Sequence, residues 1–221
     1  MTESPNKLRQ LHKLSALVLL VFVTVHLGNH LSGWFGIDAY NQVQKALRVV
    51  YRFPPIEVLL LGLMGVQILL GATLLFKSLR RGRPRGFWSW AQILSGGVFL
   101  FFVVEHLWAL YMARIAFQLE TDFSWPASVM GGAPFTLYFI PYYFLGVFAL
   151  LTHVGTGVRY WVMDAGHPKA ANRVAIGFML AGAVIGAAII PVLTGALYDI
   201  PLKPEWLEYL RYFYPEYMPP A

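Results

Sequence analysis

The sequence predicts an all-α protein: a single domain over residues 1–221 built as an integral membrane bundle of five transmembrane helices. Its N-terminus is expected in the cytoplasm and its C-terminus outside. Three observations predict this. The chain is 57% hydrophobic and 13% charged, with a mean hydropathy of +0.57, a composition that excludes an ordinary soluble domain and a disordered chain. Five apolar runs each approach the roughly 20 residues needed to cross a hydrocarbon core about 30 Å thick. The basic residues are unevenly shared among the connections.

The runs lie at about 12–34, 56–77, 88–114, 135–163 and 172–198. Each is expected to be helical, because a segment alone in lipid must satisfy its backbone hydrogen bonds internally. The N-terminal segment (Lys7, Arg9, Lys13), the second connection (Lys77, Arg80, Arg81, Arg83, Arg85) and the fourth (Arg159, Lys169, Arg173) hold 11 of the 17 Lys and Arg residues. Positive charge favours the cytoplasmic side, so these segments are expected there. The expected location is a bacterial inner membrane, crossed several times and in contact with lipid.

Residues 1–10 are polar and do not read as a cleavable signal peptide, since the run that follows is too long for one. Between the first two runs, Asp38 to Tyr51 carries Val43, Leu47, Val50 and Tyr51 at helical spacing and reads as a short amphipathic helix at the interface. The tail from Pro201, rich in Pro, Tyr and Trp, reads as an interfacial cap. The chain has no Cys, which excludes disulfides, thiolate metal sites, iron–sulfur clusters and covalent c-type haem within it. The net charge of +6 sits in short loops and signals topology rather than nucleic-acid binding.

Histidine within a spanning segment is costly unless something holds it. His26 lies about 14 residues into the first run, or roughly 21 Å along a helix, and His106 about 18 residues into the third, or roughly 27 Å. Both helices run outward, so the two histidines fall in the outer half of the membrane. His153 on the fourth helix and Gln67 on the second fall in the inner half. Haem bound by two histidines needs one imidazole from each side, hence two helices. His26 with His106 meets that requirement. His26 with His30 does not, because an i, i+4 pair shares one helix face. Zinc would need three or four ligands together, with His30 and Glu105 the available additions. The competing reading makes each histidine a hydrogen-bonded packing residue.

His30 could bond a haem propionate, line a quinone pocket or replace His26 as ligand. Arg48, Arg52 and Arg114 are candidate propionate partners near the outer end, where Trp34 and Trp108 also lie, and interfacial anchoring would place them there too. Glu57, at the start of the second helix, suits a helix N-terminus. Together with His30, Trp34 and Arg52 it is also a candidate for a quinone pocket, since quinone reduction takes up protons. Glu105 points about 100° from His106, either as a proton carrier or toward another helix. His12 and His167 read as solvated residues at the inner surface.

At these residues the sequence resembles the cytochrome b membrane anchor of succinate:quinone and fumarate:quinone oxidoreductases (respiratory complex II), of the five-helix, single-subunit, dihaem type. RQLHKLSALVLLVFVTVHLGNHLSG is similar to that family's first helix, with the His12 position, the ligand position at His26 and the trailing Asn29–His30. QILSGGVFLFFVVEHLWALYMARI is similar to its third helix, with the ligand position at His106. YYFLGVFALLTHVGTGVRYWV is similar to its fourth, with the ligand position at His153 and a small residue at Gly157. The resemblance covers roughly residues 8 to 190. It implies an outer haem b held by the first and third helices and an inner one held by the second and fourth. In VQILLGATLLF, however, Gln67 stands where the family has its ligand histidine. Glutamine is a poor iron ligand, so the inner haem is expected either to be absent or to be held by His153 alone with an open or weak sixth position.

The resemblance implies a membrane anchor for flavoprotein and iron–sulfur subunits, a non-catalytic-alone part of a complex that passes electrons between succinate or fumarate and membrane quinone. The alternatives are a stand-alone haem-binding membrane protein and a haem-free scaffold anchor.

Overall fold

Long apolar runs fold as helices even with Pro141, Pro191 and several glycines inside them, because a segment in lipid must satisfy its own backbone hydrogen bonds. The computed structural model describes residues 7–80, 82, 84 and 86–219. Arg81, Arg83 and Arg85, which entered the charge argument above, lie outside the described residues, as do residues 1–6 and 220–221. Among the described residues eight α-helices follow in order: α1 Lys7–Ser32, α2 Ile37–Tyr51, α3 Pro54–Arg80, α4 Phe87–Tyr111, α5 Ser124–Ser128, α6 Phe135–Asp164, α7 Pro168–Leu193 and α8 Pro204–Phe213. A 3₁₀ turn, Gly33–Phe35, extends α1, and a π turn, Met112–Ala116, extends α4. No strand occurs among the described residues.

Five helical segments are long and apolar enough to cross a membrane: Lys7–Phe35, Pro54–Arg80, Phe87–Ala116, Phe135–Asp164 and Pro168–Leu193. By length and composition this is a multi-pass membrane protein. Among the described residues the first span runs from Lys7 rather than from near residue 12, because Lys7 to Leu11 contains no helix breaker. The last runs from Pro168 to Leu193 rather than over 172–198. Pro168 suits the first helical turn, where its missing N–H costs nothing. Gly195, with φ at +78°, turns the chain away just past the other end.

The spans pack as a ring in which α1 lies against α3 and α7, and α4 against α3 and α6, with α6 and α7 in the most extensive contact. Two glycines on α7 permit that contact. A Cβ on Gly182 would sit 3.2 Å from the Phe148 Cα, and one on Gly186 would sit 3.2 Å from the Phe144 carbonyl oxygen. This is the small-xxx-small pattern of close helix pairs in lipid. The backbones of α1 and α4 make at most slight contact, as do those of α1 and α6. What faces across those intervals is therefore side chain.

The end of the bundle away from the basic connections holds the most tightly packed core. Tyr40, Phe123, Met130, Val147, Ile189, Val192 and Leu193 are all buried there. The tail is more than a surface cap: α8 buries Trp206, Tyr209 and Leu210 against Ala113, with Tyr217 in the same cluster. Lys203 ties its start to Asp122 at 2.7 Å. At the basic end, Lys13 lies over the Trp161 ring at 3.7 Å and Arg159 over the Trp88 ring at 4.8 Å. Cations and indole rings together are the composition expected at a membrane interface.

Candidate functional site

His26 on α1 and His106 on α4 face each other across the interval between their helices. Their ring centres are 6.2 Å apart at an interplanar angle of 71°. Each ring is set by a phenylalanine one turn earlier on its own helix. Phe22 stacks on His26 at 5.5 Å and 18°, and Phe102 stacks on His106 at 5.6 Å and 14°. The i, i+4 spacing brings such pairs together. Trp125 of α5 leans on His106 at 5.2 Å.

His30 meets the edge of His26 at 4.9 Å and packs on Tyr40 at 5.6 Å. It is 7% exposed, and its Nδ1 has no hydrogen-bond partner among the described residues, nor has the Asn29 Oδ1. Burial pushes the Tyr40 phenol above its ordinary range, so it stands as a neutral hydroxyl.

The donor set fits a metal held between two imidazoles. With metal–nitrogen bonds of about 2 Å, two imidazoles on opposite sides of one metal have ring centres roughly 6–6.5 Å apart. The orphaned polar atoms of Asn29 and His30 beside them are of the kind that a ligand satisfies. His26 and His106 are the residues that would hold the iron of a haem. A zinc set is not formed: among the described residues no three His, Cys, Asp or Glu side chains gather as a metal site.

The three arginines singled out in the sequence converge at the same end. Arg48, Arg52 and Arg114 line one cavity of about 950 Å³ with Glu57, Leu107 and Thr121. Glu57 accepts from Arg52 at 3.1 Å and from Arg114 at 3.3 Å. It also lies in the first turn of α3, so it serves the helix start and the arginines at once. Arg48 donates to the Thr121 carbonyl and to its hydroxyl at 3.0 Å, and Arg114 Nε reaches the same hydroxyl at 2.9 Å. Glu120, 3.8 Å from Arg48, lines the same cavity, so three guanidinium groups face two carboxylates and keep an excess of positive charge for anionic groups.

The residues grouped as a quinone pocket make several different contacts. Glu57 and Arg52 line the arginine cavity, whereas His30 packs under Tyr40. Trp34 donates its indole N–H to the Ala188 carbonyl of α7 at 2.9 Å. Glu105 faces α6 and accepts from the Tyr138 hydroxyl at 2.6 Å.

Toward the basic end, the arrangement departs from expectation. His153 is met by His12, at 6.4 Å between ring centres and 80° between planes. His12 is half-buried in the bundle rather than solvated, while His167 is exposed as expected. Gln92, which the sequence did not single out, reaches His153 from α4, its side-chain amide nitrogen 3.0 Å from Nδ1 and its backbone carbonyl oxygen 3.2 Å from the same atom. A signal for both was present: Gln92 precedes His106 by the same interval as His12 precedes His26. Gln67 directs a buried Oε1 with no partner among the described residues.

Compared with known proteins, the chain matches no family model, no curated protein and no solved structure.

Proposed function

We propose that this chain is a membrane cytochrome b: the haem-binding anchor of a succinate:quinone or fumarate:quinone oxidoreductase, oriented with its basic end in the cytoplasm. One observation carries the reading. His26 and His106, on separate spanning helices, face each other at 6.2 Å, the spacing two imidazoles need to share one metal.

A haem bound there supplies one-electron transfer. The chain's own residues do the rest. His26 and His106 would hold the haem iron, and the stacked Phe22 and Phe102 hold the two rings in orientation and cover them. Arg48, Arg52 and Arg114 are suited to the haem carboxylates or to an anionic substrate form. His30 and Glu57 are the groups at this end able to hold a proton for quinone chemistry.

The partnership with flavoprotein and iron–sulfur subunits rests on the sequence resemblance. The test uses membranes containing the full complex. Succinate should reduce the b-type spectrum in wild type and not in His106→Ala, and the tagged chain should bring down two further subunits. A haem-bearing chain that purifies alone and ignores succinate would make it a stand-alone membrane cytochrome instead.

A further inference from the structure

The pair at the basic end repeats the pair at the other. His12 and His153 stand at 6.4 Å and 80°, His26 and His106 at 6.2 Å and 71°. Each pair joins α1 to another span whose backbone it does not closely touch. His12 and His26 are separated by 14 residues, close to four helical turns, so they share one face of α1 roughly 21 Å apart along its axis. Gln92 and His106 have the same separation on α4.

The surroundings of the second pair are those of a ligand site. Seven buried side-chain polar atoms lack a partner among the described residues, and four of them belong to this level: His12 Nδ1, Gln67 Oε1, Gln92 Oε1 and Thr152 Oγ1. Orphaned buried polar atoms are rare, and a cluster of them calls for a missing partner. Glycines border both rings. A Cβ on Gly96 would lie 2.9 Å from His153 Cε1, and one on Gly71 would lie 3.7 Å from His12 Cε1. Gln67 is one turn from Gly71 and so faces the same interval.

His153 is anchored to α4: the side-chain amide nitrogen of Gln92 lies 3.0 Å from its Nδ1 and 3.3 Å from its Nε2, and the backbone carbonyl oxygen of Gln92 lies 3.2 Å from Nδ1.

We propose that His12 and His153 are the axial ligands of a second b-type haem at the basic end, His12 on α1 supplying the imidazole that α3, with Gln67, does not. This rests on reading the outer pair as a haem site.

The test counts haem per polypeptide in the purified full chain and records the low-spin ferric signals by electron paramagnetic resonance. Two haems are expected. His12→Ala and His153→Ala should each lose the same one, and His26→Ala and His106→Ala the other. His12→Met should keep both haems while the inner signal changes and its midpoint potential rises, as histidine–methionine ligation does. A His12→Met protein with an unaltered inner signal would refute the assignment of His12. A single haem lost only with His26 or His106 would overturn this inference and leave the outer site standing, whereas a chain without haem would overturn both. Retention of the outer signal shows that a variant has folded.

Discussion

His26 and His106 each stack on a phenylalanine one turn away, whereas His153 and His12 are bordered by Gly96 and Gly71. Position on a helix therefore decides function at the level of single atoms. Gly96→Val places side-chain atoms where His153 Cε1 now lies, since even a Cβ would come within 2.9 Å. It should lower the haem count from two to one, with the outer spectrum unchanged. Arg114→Ala should act at the opposite end: it removes one cation from the cavity and one partner from Glu57. The outer haem should be retained with a lowered midpoint potential, read by redox titration, because less positive charge then stabilises the reduced form.

His26 and His106 were legible in the sequence because each is a polar residue deep in an apolar run. His12 was not, because it lies among Arg9, Gln10 and Lys13 and reads as surface; its burial is created by α6 from far along the chain. Gln92 escaped for the same reason, its partner His153 lying 61 positions away.

At the scale of elements, the five spans were readable from length and hydropathy, and their boundaries fell within a few residues of the structure. α5 and α8 were not readable. α5 is a single turn, and α8 sits in a segment broken by Pro201, Pro204 and Pro215, where tertiary burial of Trp206 and Tyr209 outweighs local sequence. The closest helix pair depends on Gly182 and Gly186. Gly182→Val should cost about 1–3 kcal/mol by overpacking against the α6 backbone. A lowered unfolding midpoint in detergent measures it, with Gly177→Val as the control, since a Cβ at Gly177 meets nothing within 4 Å.

For the molecule as a whole, the ring of helices keeps α1 away from α4 and α6 at backbone range and lets histidines fill the intervals at two levels. Cations gather at one end, while both charges mix at the other around Glu57 and Asp122. The excess of Lys and Arg at one end predicts that this end faces the cytoplasm. Because the chain has no Cys, single replacements report cleanly. Pro84→Cys should resist a membrane-impermeant thiol reagent added outside, and Glu216→Cys should react; the reverse pattern would invert the topology.

The most direct measurement is a reduced-minus-oxidised optical spectrum of the purified chain, taken alongside His26→Ala and His106→Ala with haem counted per polypeptide. The account predicts a low-spin b-type spectrum in wild type, with the same component missing from both variants. Wild type without haem, or a variant that keeps the full spectrum, would contradict it.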